Sequence, residues 1–334
     1  MHKKIISLII ILSFFACKNS MQSSNGEFNE IVIVSSIEDK KLLEPIVNDY
    51  IFDNIIHTPE PEYLYKKIWI KPEGFKYYKK YSNIIIISIS NPIDQSIDKL
   101  MIDFKNKYNI ENFPITLNDI YSKPQMITFI NDSNDISIKS NLNKSVNMIK
   151  SSIESHIDSL YLFRYKNNFK STYSKEISNI SDSLFSIKLL LDTNFKFIKQ
   201  ENDLLWIGKG SITYDSNALY QWLIFKDINY FEINGNLEFQ NIIKDQLTQI
   251  DTNLELITNF NKFSINTYNN KIVYKLNSLY NHNLYKTGGP IISYIINDKE
   301  TNKAILIYGL INAPGNSKIE LIKELETIII NSIF

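Results

Sequence analysis

The stretch IISYIINDKETNKAILIYGL, residues 291–310, decides the fold of this chain. Apolar side chains occupy both alternating faces of 291–296 and of 303–310, which is typical of central strands that are buried on both sides. The polar residues between them fit the loop of a β-hairpin. Four side chains of this predicted hairpin should therefore be buried: Ile292, Tyr294, Leu306 and Tyr308.

A helix is predicted to close the chain after the hairpin. Pro314 and Gly315 end the second strand. Ser317 and Glu320 fit a capping box, in which a hydroxyl and a carboxylate satisfy free N–H groups at the start of a helix. The apolar residues beyond recur at helical spacing and form one stripe: Ile319, Ile322, Leu325 and Ile329.

Strands and amphipathic helices alternate through the remaining chain. Strands are predicted at 29–34, 65–70, 84–90, 124–130, 195–199, 204–209, 220–225 and 271–280, and helices at 39–52, 94–108, 142–160 and 237–250. This pattern predicts an α+β fold of mostly antiparallel sheets covered by amphipathic helices. Because three strands and a helix recur, we expect two structurally related halves, at 30–184 and 185–334.

Residues 1–17 predict a lipoprotein signal peptide. Two lysines precede an apolar run at 5–16, which is shorter than the about 20 residues that span a bilayer. The run ends in Phe-Phe-Ala-Cys, which resembles a bacterial lipobox with Cys17, the only cysteine, as the lipidated residue. An ordinary secretory signal and an uncleaved anchor are the alternatives. Residues 18–29 are rich in Ser and Asn and are predicted to form a flexible tether.

The sequence gives no signal for a catalytic, metal or cofactor site. Motifs of phosphate loops, serine hydrolases and metalloproteases are missing, and no histidine has a His or Cys neighbour at metal-ligand spacing. The 36 positive and 36 negative residues, taken over the whole chain, give no electrostatic case for nucleic acid or anionic lipid as a partner. Gly288 and Gly289 could form a backbone anion nest, although such glycines more often bend a chain into a strand. The tryptophans are expected in the core rather than on a glycan-stacking surface: Trp69, Trp206 and Trp222.

The loop at 56–63 is the best candidate for a partner-binding surface. Pro59 and Pro61 restrict the free loop and so reduce the entropy lost on binding. Its polar and aromatic side chains would supply the contacts: His57, Glu60, Glu62 and Tyr63. The competing interpretation is that the prolines only route the chain from a helix into a strand.

Several short segments carry a family resemblance. They are NEIVIV (29–34), PEP (59–61), NIII (83–86), KPQ (123–125), LWI (205–207), GGPI (288–291), GLINAPG (309–315) and LE (325–326). Together they resemble an uncharacterised Bacteroidota lipoprotein family, domain of unknown function 4837, over nearly all of the chain after the signal. The basic residues expected near the last helix are reduced to Lys318 and Lys323. The resemblance implies an envelope location and supplies no catalytic residues.

We therefore expect a cell-envelope protein that a lipid holds to the membrane. Residues 18–20 lack the acidic run associated with surface export in Bacteroidota, which favours the periplasmic face of the outer membrane. We favour a non-catalytic module that binds an envelope protein or a glycan. The alternative is an envelope hydrolase that uses Asp and Glu carboxylates.

Cys17→Ala should release the protein from the membrane fraction or leave an uncleaved precursor, because alanine offers no thiol for a lipid. Fractionation with immunoblotting measures the release, and mass spectrometry of the wild-type N-terminus measures the acyl chains. An unmodified Cys17 in the membrane-bound wild type would refute the predicted anchor.

Overall fold

The computed structural model describes residues 21–53, 55–56, 58, 60–89, 95–168, 173–210, 218–230, 232–268, 271–298 and 300–333. These residues form an α+β fold with mostly antiparallel sheets, as the sequence predicts. The signal peptide with Cys17, the first residues of the tether, and His57 lie outside the described residues.

The chain divides into two compact units. Unit 1 contains the segment up to Asp53 and residues Tyr65–Leu160, and unit 2 contains Asn54–Leu64 and Tyr161–Phe334. The change of unit at 160/161 falls within a helix, whereas the sequence placed it near residue 184. The segment Asn54–Leu64 comes from the first half of the chain but belongs to unit 2. No local sequence pattern predicts this assignment.

Unit 1 is built around a mostly parallel sheet. Up to residue 168 the elements are β1 (Glu30–Val34), α1 (Ile37–Tyr50), β2 (Ile55–Ile56), β3 (Glu62–Tyr63), β4 (Lys66–Ile70), a 3₁₀ turn (Pro72–Gly74), α2 (Phe75–Tyr78), β5 (Asn83–Ile89), α3 (Gln95–Tyr108), β6 (Ile115–Asn118), β7 (Met126–Asp132) and α4 (Asp135–Asn168). The sheet order is β4-β1-β5-β7-β6, and β6 alone runs antiparallel to its neighbour. Helix α3 packs on one face through Ile97, Met101 and Phe104.

Unit 2 is built around a seven-stranded antiparallel sheet. Its later elements are α5 (Lys175–Phe185), β8 (Lys196–Gln200), β9 (Leu204–Gly210), β10 (Tyr220–Asn229), α6 (Asn236–Ile250), β11 (Leu254–Tyr268), β12 (Lys271–His282), β13 (Thr287–Asp298), β14 (Lys303–Asn312) and α7 (Ile319–Ile333). The order is β11-β12-β13-β14-β10-β9-β8. Because unit 1 has a mainly parallel sheet, the expectation of two structurally related halves is wrong.

The predicted hairpin is β13 and β14, and it occupies the middle of this sheet. One sheet face packs on α5 and α7, and the opposite face packs on α6. All four side chains expected to be buried are at most 3% exposed: Ile292, Tyr294, Leu306 and Tyr308. The buried pattern of 291–310 therefore identified the central strands correctly.

Most of the segment predicted to be a flexible tether, residues 18–29, is bound to unit 1. Gln22 accepts a hydrogen bond from the Lys123 N–H at 2.9 Å, and the Asn25 N–H donates to the Lys80 carbonyl at 2.8 Å. Phe28 is buried. Residues 22–29 are thus part of unit 1, because their backbone groups find partners along its edge.

Leu306→Ala should destabilise the protein by about 2–5 kcal/mol, because the side chain is fully buried between the sheet and α6. Urea unfolding followed by tryptophan fluorescence measures the change. Leu237→Ala is the control, since Leu237 is 77% exposed on α6 and should cost less than about 0.5 kcal/mol. Equal losses in the two variants would contradict the central position of β14.

Candidate functional site

An open groove of about 420 Å³ lies where β12 turns into β13. Ile257 and Leu279 form its apolar wall, and the backbone of Gly288 and Gly289 forms part of its floor. Three polar side chains line it and are exposed: Asn281, Asn283 and Lys286. These groups offer a cation and amide donors and acceptors, which suits a polar ligand rather than an apolar one.

Gly288 and Gly289 lie in this groove, but they do not form an anion nest. Both belong to extended strand β13, whereas a nest needs successive N–H groups that converge on one point. The Gly288 N–H already donates to the side chain of Asn312 at 3.2 Å. A Cβ on Gly288 would lie 2.6 Å from the Tyr280 carbonyl oxygen. The glycines are therefore required for close packing of backbone against backbone.

His282 stands behind the groove as a buried structural residue. Its Nε2 lies 3.3 Å from Asp251 Oδ2, and its Nδ1 accepts a hydrogen bond from the Tyr285 N–H at 3.3 Å. The imidazole also stacks on Tyr285, with ring centroids 4.2 Å apart. Burial lowers the pKa of His282 despite the nearby Asp251. The ring therefore lies between two turns as a neutral group, with Tyr285 stacked on it and Asp251 close to its Nε2.

A chain of hydroxyl groups continues from the groove into the core. Tyr280 donates to Tyr220 at 3.0 Å, and the Tyr220 hydroxyl lies 2.6 Å from that of Thr287. Burial raises the pKa of both tyrosines, so that they remain protonated at neutral pH. This chain satisfies buried polar groups on the strands that shape the groove.

Two lysines of the sheet form buried ion pairs with helix α7. Lys275 lies 2.5 Å from Glu326, which also pairs with Lys323 at 2.9 Å. Lys209 lies 2.6 Å from Glu324 and 3.2 Å from Asp192. These charges face the sheet instead of solvent, so α7 is fixed to the strands by polar as well as apolar contacts.

The electrostatics of Glu326 follow from these pairs. Burial alone would raise its pKa, but Lys275 and Lys323 outweigh burial and lower the pKa to about 2. Burial likewise opposes the charge of Lys275, yet Glu326 raises the pKa of Lys275. Both groups are therefore charged at neutral pH. A carboxylate held in this state cannot serve as a general acid there.

The predicted binding loop packs within unit 2. Glu62 accepts the Lys318 N–H at 3.0 and 3.1 Å and the Ser317 hydroxyl at 2.7 Å. It thereby caps α7, so Ser317 does not form the predicted capping box with Glu320. Glu60 is exposed and Tyr63 is 64% exposed. The three of these residues that the structure describes therefore differ in role: Glu62 is part of the fold, whereas Glu60 and Tyr63 are exposed.

Sequence reasoning missed both the groove and the ion pairs. Three polar residues between two strands, Asn281, Asn283 and Lys286, were a usable signal for the groove. Lys209 and Lys275 within otherwise apolar strands were a signal for buried pairing, although their partners are far away in sequence. Trp206 and Trp222 lie in the core with ring centroids 5.0 Å apart, as expected.

Comparison with protein families identifies unit 2. Residues 174–331 match the family model described as Domain of unknown function (DUF4837). These residues form a DUF4837 domain. It contains the groove, the ion pairs and the central hairpin. A comparison with curated proteins found no match to the chain.

The described part of the chain contains no cluster of three or more His, Cys, Asp or Glu side chains that could hold a metal ion. Among the same residues, no helix combines the length and the apolar character needed to cross a bilayer. The groove of the DUF4837 domain, with its exposed amide and ammonium groups beside an apolar wall, is the candidate site that geometry supports best.

Glu326→Gln should destabilise the protein by at most about 3–5 kcal/mol at pH 7, because Lys275 and Lys323, which are partly buried, lose the carboxylate that they pair with. The pKa of Glu326 in the folded state lies below its ordinary value of 4.5. The stabilisation is therefore present above about pH 4.5 and is lost as the pH falls towards about 2. Urea unfolding of wild type and variant across this range measures the converging stabilities.

Glu320→Gln is the matched control for this experiment. Glu320 lies on the same helix but is exposed, so its replacement should change stability by less than about 0.5 kcal/mol. A Glu326→Gln effect that stays constant down to about pH 2 would contradict the depressed pKa.

Proposed function

We propose that this protein is a lipid-anchored component of the cell envelope and that its DUF4837 domain is a non-catalytic binding module. The lipobox-like sequence at Cys17 supports the anchor. The resemblance to Bacteroidota lipoproteins and the lack of an acidic run after Cys17 support the periplasmic face of the outer membrane. The partner is an envelope protein or a glycan.

The groove at the β12–β13 turn is the observation that carries the binding role. It exposes Asn281, Asn283 and Lys286 beside an apolar wall. Amide side chains donate and accept hydrogen bonds, which matches peptide groups and sugar hydroxyls alike.

The ion pairs of α7 argue against a hydrolase that uses the buried carboxylates. Asp192, Glu324 and Glu326 are each paired with a lysine. Acid–base catalysis by two carboxyl groups needs environments that push their pKa values apart, with one raised. In the loop at 56–63, Glu62 caps α7, and Glu60 and Tyr63 remain as accessory contacts for the same partner.

A photo-crosslinking amino acid at Asn281 should capture one discrete partner in intact cells, because this side chain is exposed in the groove. The same amino acid at Leu237, which is exposed on α6 away from the groove, is the matched control. Immunoblotting detects a protein adduct, and mass spectrometry of the released fragments identifies a protein or a glycan.

A second variant tests whether the capture depends on groove chemistry. Lys286 has a φ of +51°, a conformation that asparagine tolerates well. Lys286→Asn therefore removes the charge without straining the turn and should reduce capture at position 281. Equal adducts at 281 and 237 in the wild type would refute the binding role of the groove.

A further inference from the structure

The N-terminal segment enters unit 1 at the edge where its parallel strands begin. Asn25 bridges Lys80 and Ser82, which lie just before β5, through hydrogen bonds of 2.8 and 3.0 Å. Gln22 pairs with Lys123, which lies just before β7. The chain therefore reaches the fold at one defined edge of unit 1.

This entry point limits the distance between the lipid and the fold. Five residue steps separate Cys17 from Gln22, the first residue hydrogen-bonded to unit 1. A fully extended chain of that length spans at most about 18 Å. A lipid on Cys17 would thus hold this edge of unit 1 next to the bilayer surface.

A basic cleft of about 310 Å³ lies at the same edge, between α2 and the end of α3. Lys76, Lys79 and Lys107 line it. Within the described residues, none of these three ammonium groups lies within ion-pair distance of a carboxylate, although Glu73 and Asp103 stand on the same rim. Lys79 instead lies 5.4 Å from the centre of the Tyr121 ring.

The cleft is directly connected to the entry point of the N-terminal segment. Lys79 precedes Lys80, which binds Asn25, and Tyr121 lies two residues before Lys123. Gln125 fixes the two walls together, since its side chain donates to the Lys79 carbonyl at 2.7 Å and accepts from the Tyr121 N–H at 2.8 Å. The basic cleft and the tether are therefore parts of one surface.

Apolar side chains beside the cleft suit the boundary between water and lipid. Tyr77 on α2 is 73% exposed, and Met21, next to the first hydrogen-bonded residue, is 45% exposed. Phe75 and Phe104 form the apolar floor of the cleft. Tyrosine is favoured at membrane interfaces because its ring is apolar and its hydroxyl is polar.

We propose that this surface of unit 1 lies on the bilayer and that the cleft takes the anionic headgroup of a phospholipid. The proposal rests on the proposed lipid anchor, and it adds a second attachment beside it. A basic patch strengthens the membrane attachment that a lipid anchor provides. Each lysine near an anionic surface raises the membrane-binding constant by about five-fold. The carboxylates of Glu73 and Asp103 can accept hydrogen bonds from the hydroxyls of a glycerol headgroup.

The test uses the lipidated protein in vesicles of phosphatidylcholine and phosphatidylglycerol. A fluorophore is attached at Asn106→Cys, an exposed position next to Lys107 that leaves the charges unchanged. Lipid with a spin-labelled headgroup should quench this fluorophore at least about two-fold more in mixed vesicles than in pure phosphatidylcholine. About 1 M NaCl should remove the difference, because it shortens the Debye length to about 3 Å.

Two matched controls make the test specific. A fluorophore at Ile136→Cys, 76% exposed and beyond the carboxyl end of β7, should lie about 20 Å farther away and be quenched much less. Replacing Lys76, Lys79 and Lys107 by Gln should abolish the dependence on phosphatidylglycerol. Replacing the exposed lysines of α1 and α4, Lys41, Lys139 and Lys144, by Gln should leave it intact.

Each outcome bears on the proposal. Equal quenching at 106 and 136 in an anchored protein would overturn the membrane-facing surface and leave the anchor standing. The headgroup site would be overturned if quenching at 106 were equal with and without phosphatidylglycerol. It would also be overturned if the dependence on phosphatidylglycerol remained after all three cleft lysines were replaced. An unmodified Cys17 would overturn both this inference and the anchor.

Discussion

The sheet of unit 2 is covered on both faces, and this double burial decides where its polar groups can lie. A lysine in a strand such as β12 cannot reach solvent easily, so Lys275 pairs with Glu326 of the covering helix. On the opposite face, the hydroxyls of Tyr280 and Tyr220 pair with each other. The β12–β13 turn leaves polar side chains exposed beside the sheet, and the candidate groove lies there.

Sequence patterns predicted the elements whose burial is strong. The hairpin β13–β14 and helix α7 were found because their apolar residues follow one clear period. Four of the described strands were missed, since β2 and β3 have only two residues each, β6 has only four, and β11 is an edge strand with many polar residues. A strand pattern also carries little information on pairing direction, which is why the parallel sheet of unit 1 was not foreseen.

The helix cap and the ion pairs of α7 were harder to predict than the fold, because their partners are distant in sequence. Glu62 and Lys318 are 256 positions apart, and Lys209 and Glu324 are 115 apart. Local spacing suggested a capping box at Ser317, but a distant carboxylate instead accepts from the Ser317 hydroxyl and the Lys318 N–H. The chemistry of a helix start was thus predictable, whereas the identity of its acceptor depended on the tertiary structure.

The cap on α7 also determines when unit 2 can finish folding during synthesis of the chain. Glu62 leaves the ribosome 256 residues before the N–H group that it binds. At roughly 5–20 residues per second, the interval is roughly 13 to 50 seconds. Throughout this time the segment around Glu62 is without its final partner. A chain that stops short of α7 would leave Glu62 without the N–H group that it caps. It would also leave the part of the sheet face next to α5 uncovered, so unit 2 is completed only when α7 has been synthesised.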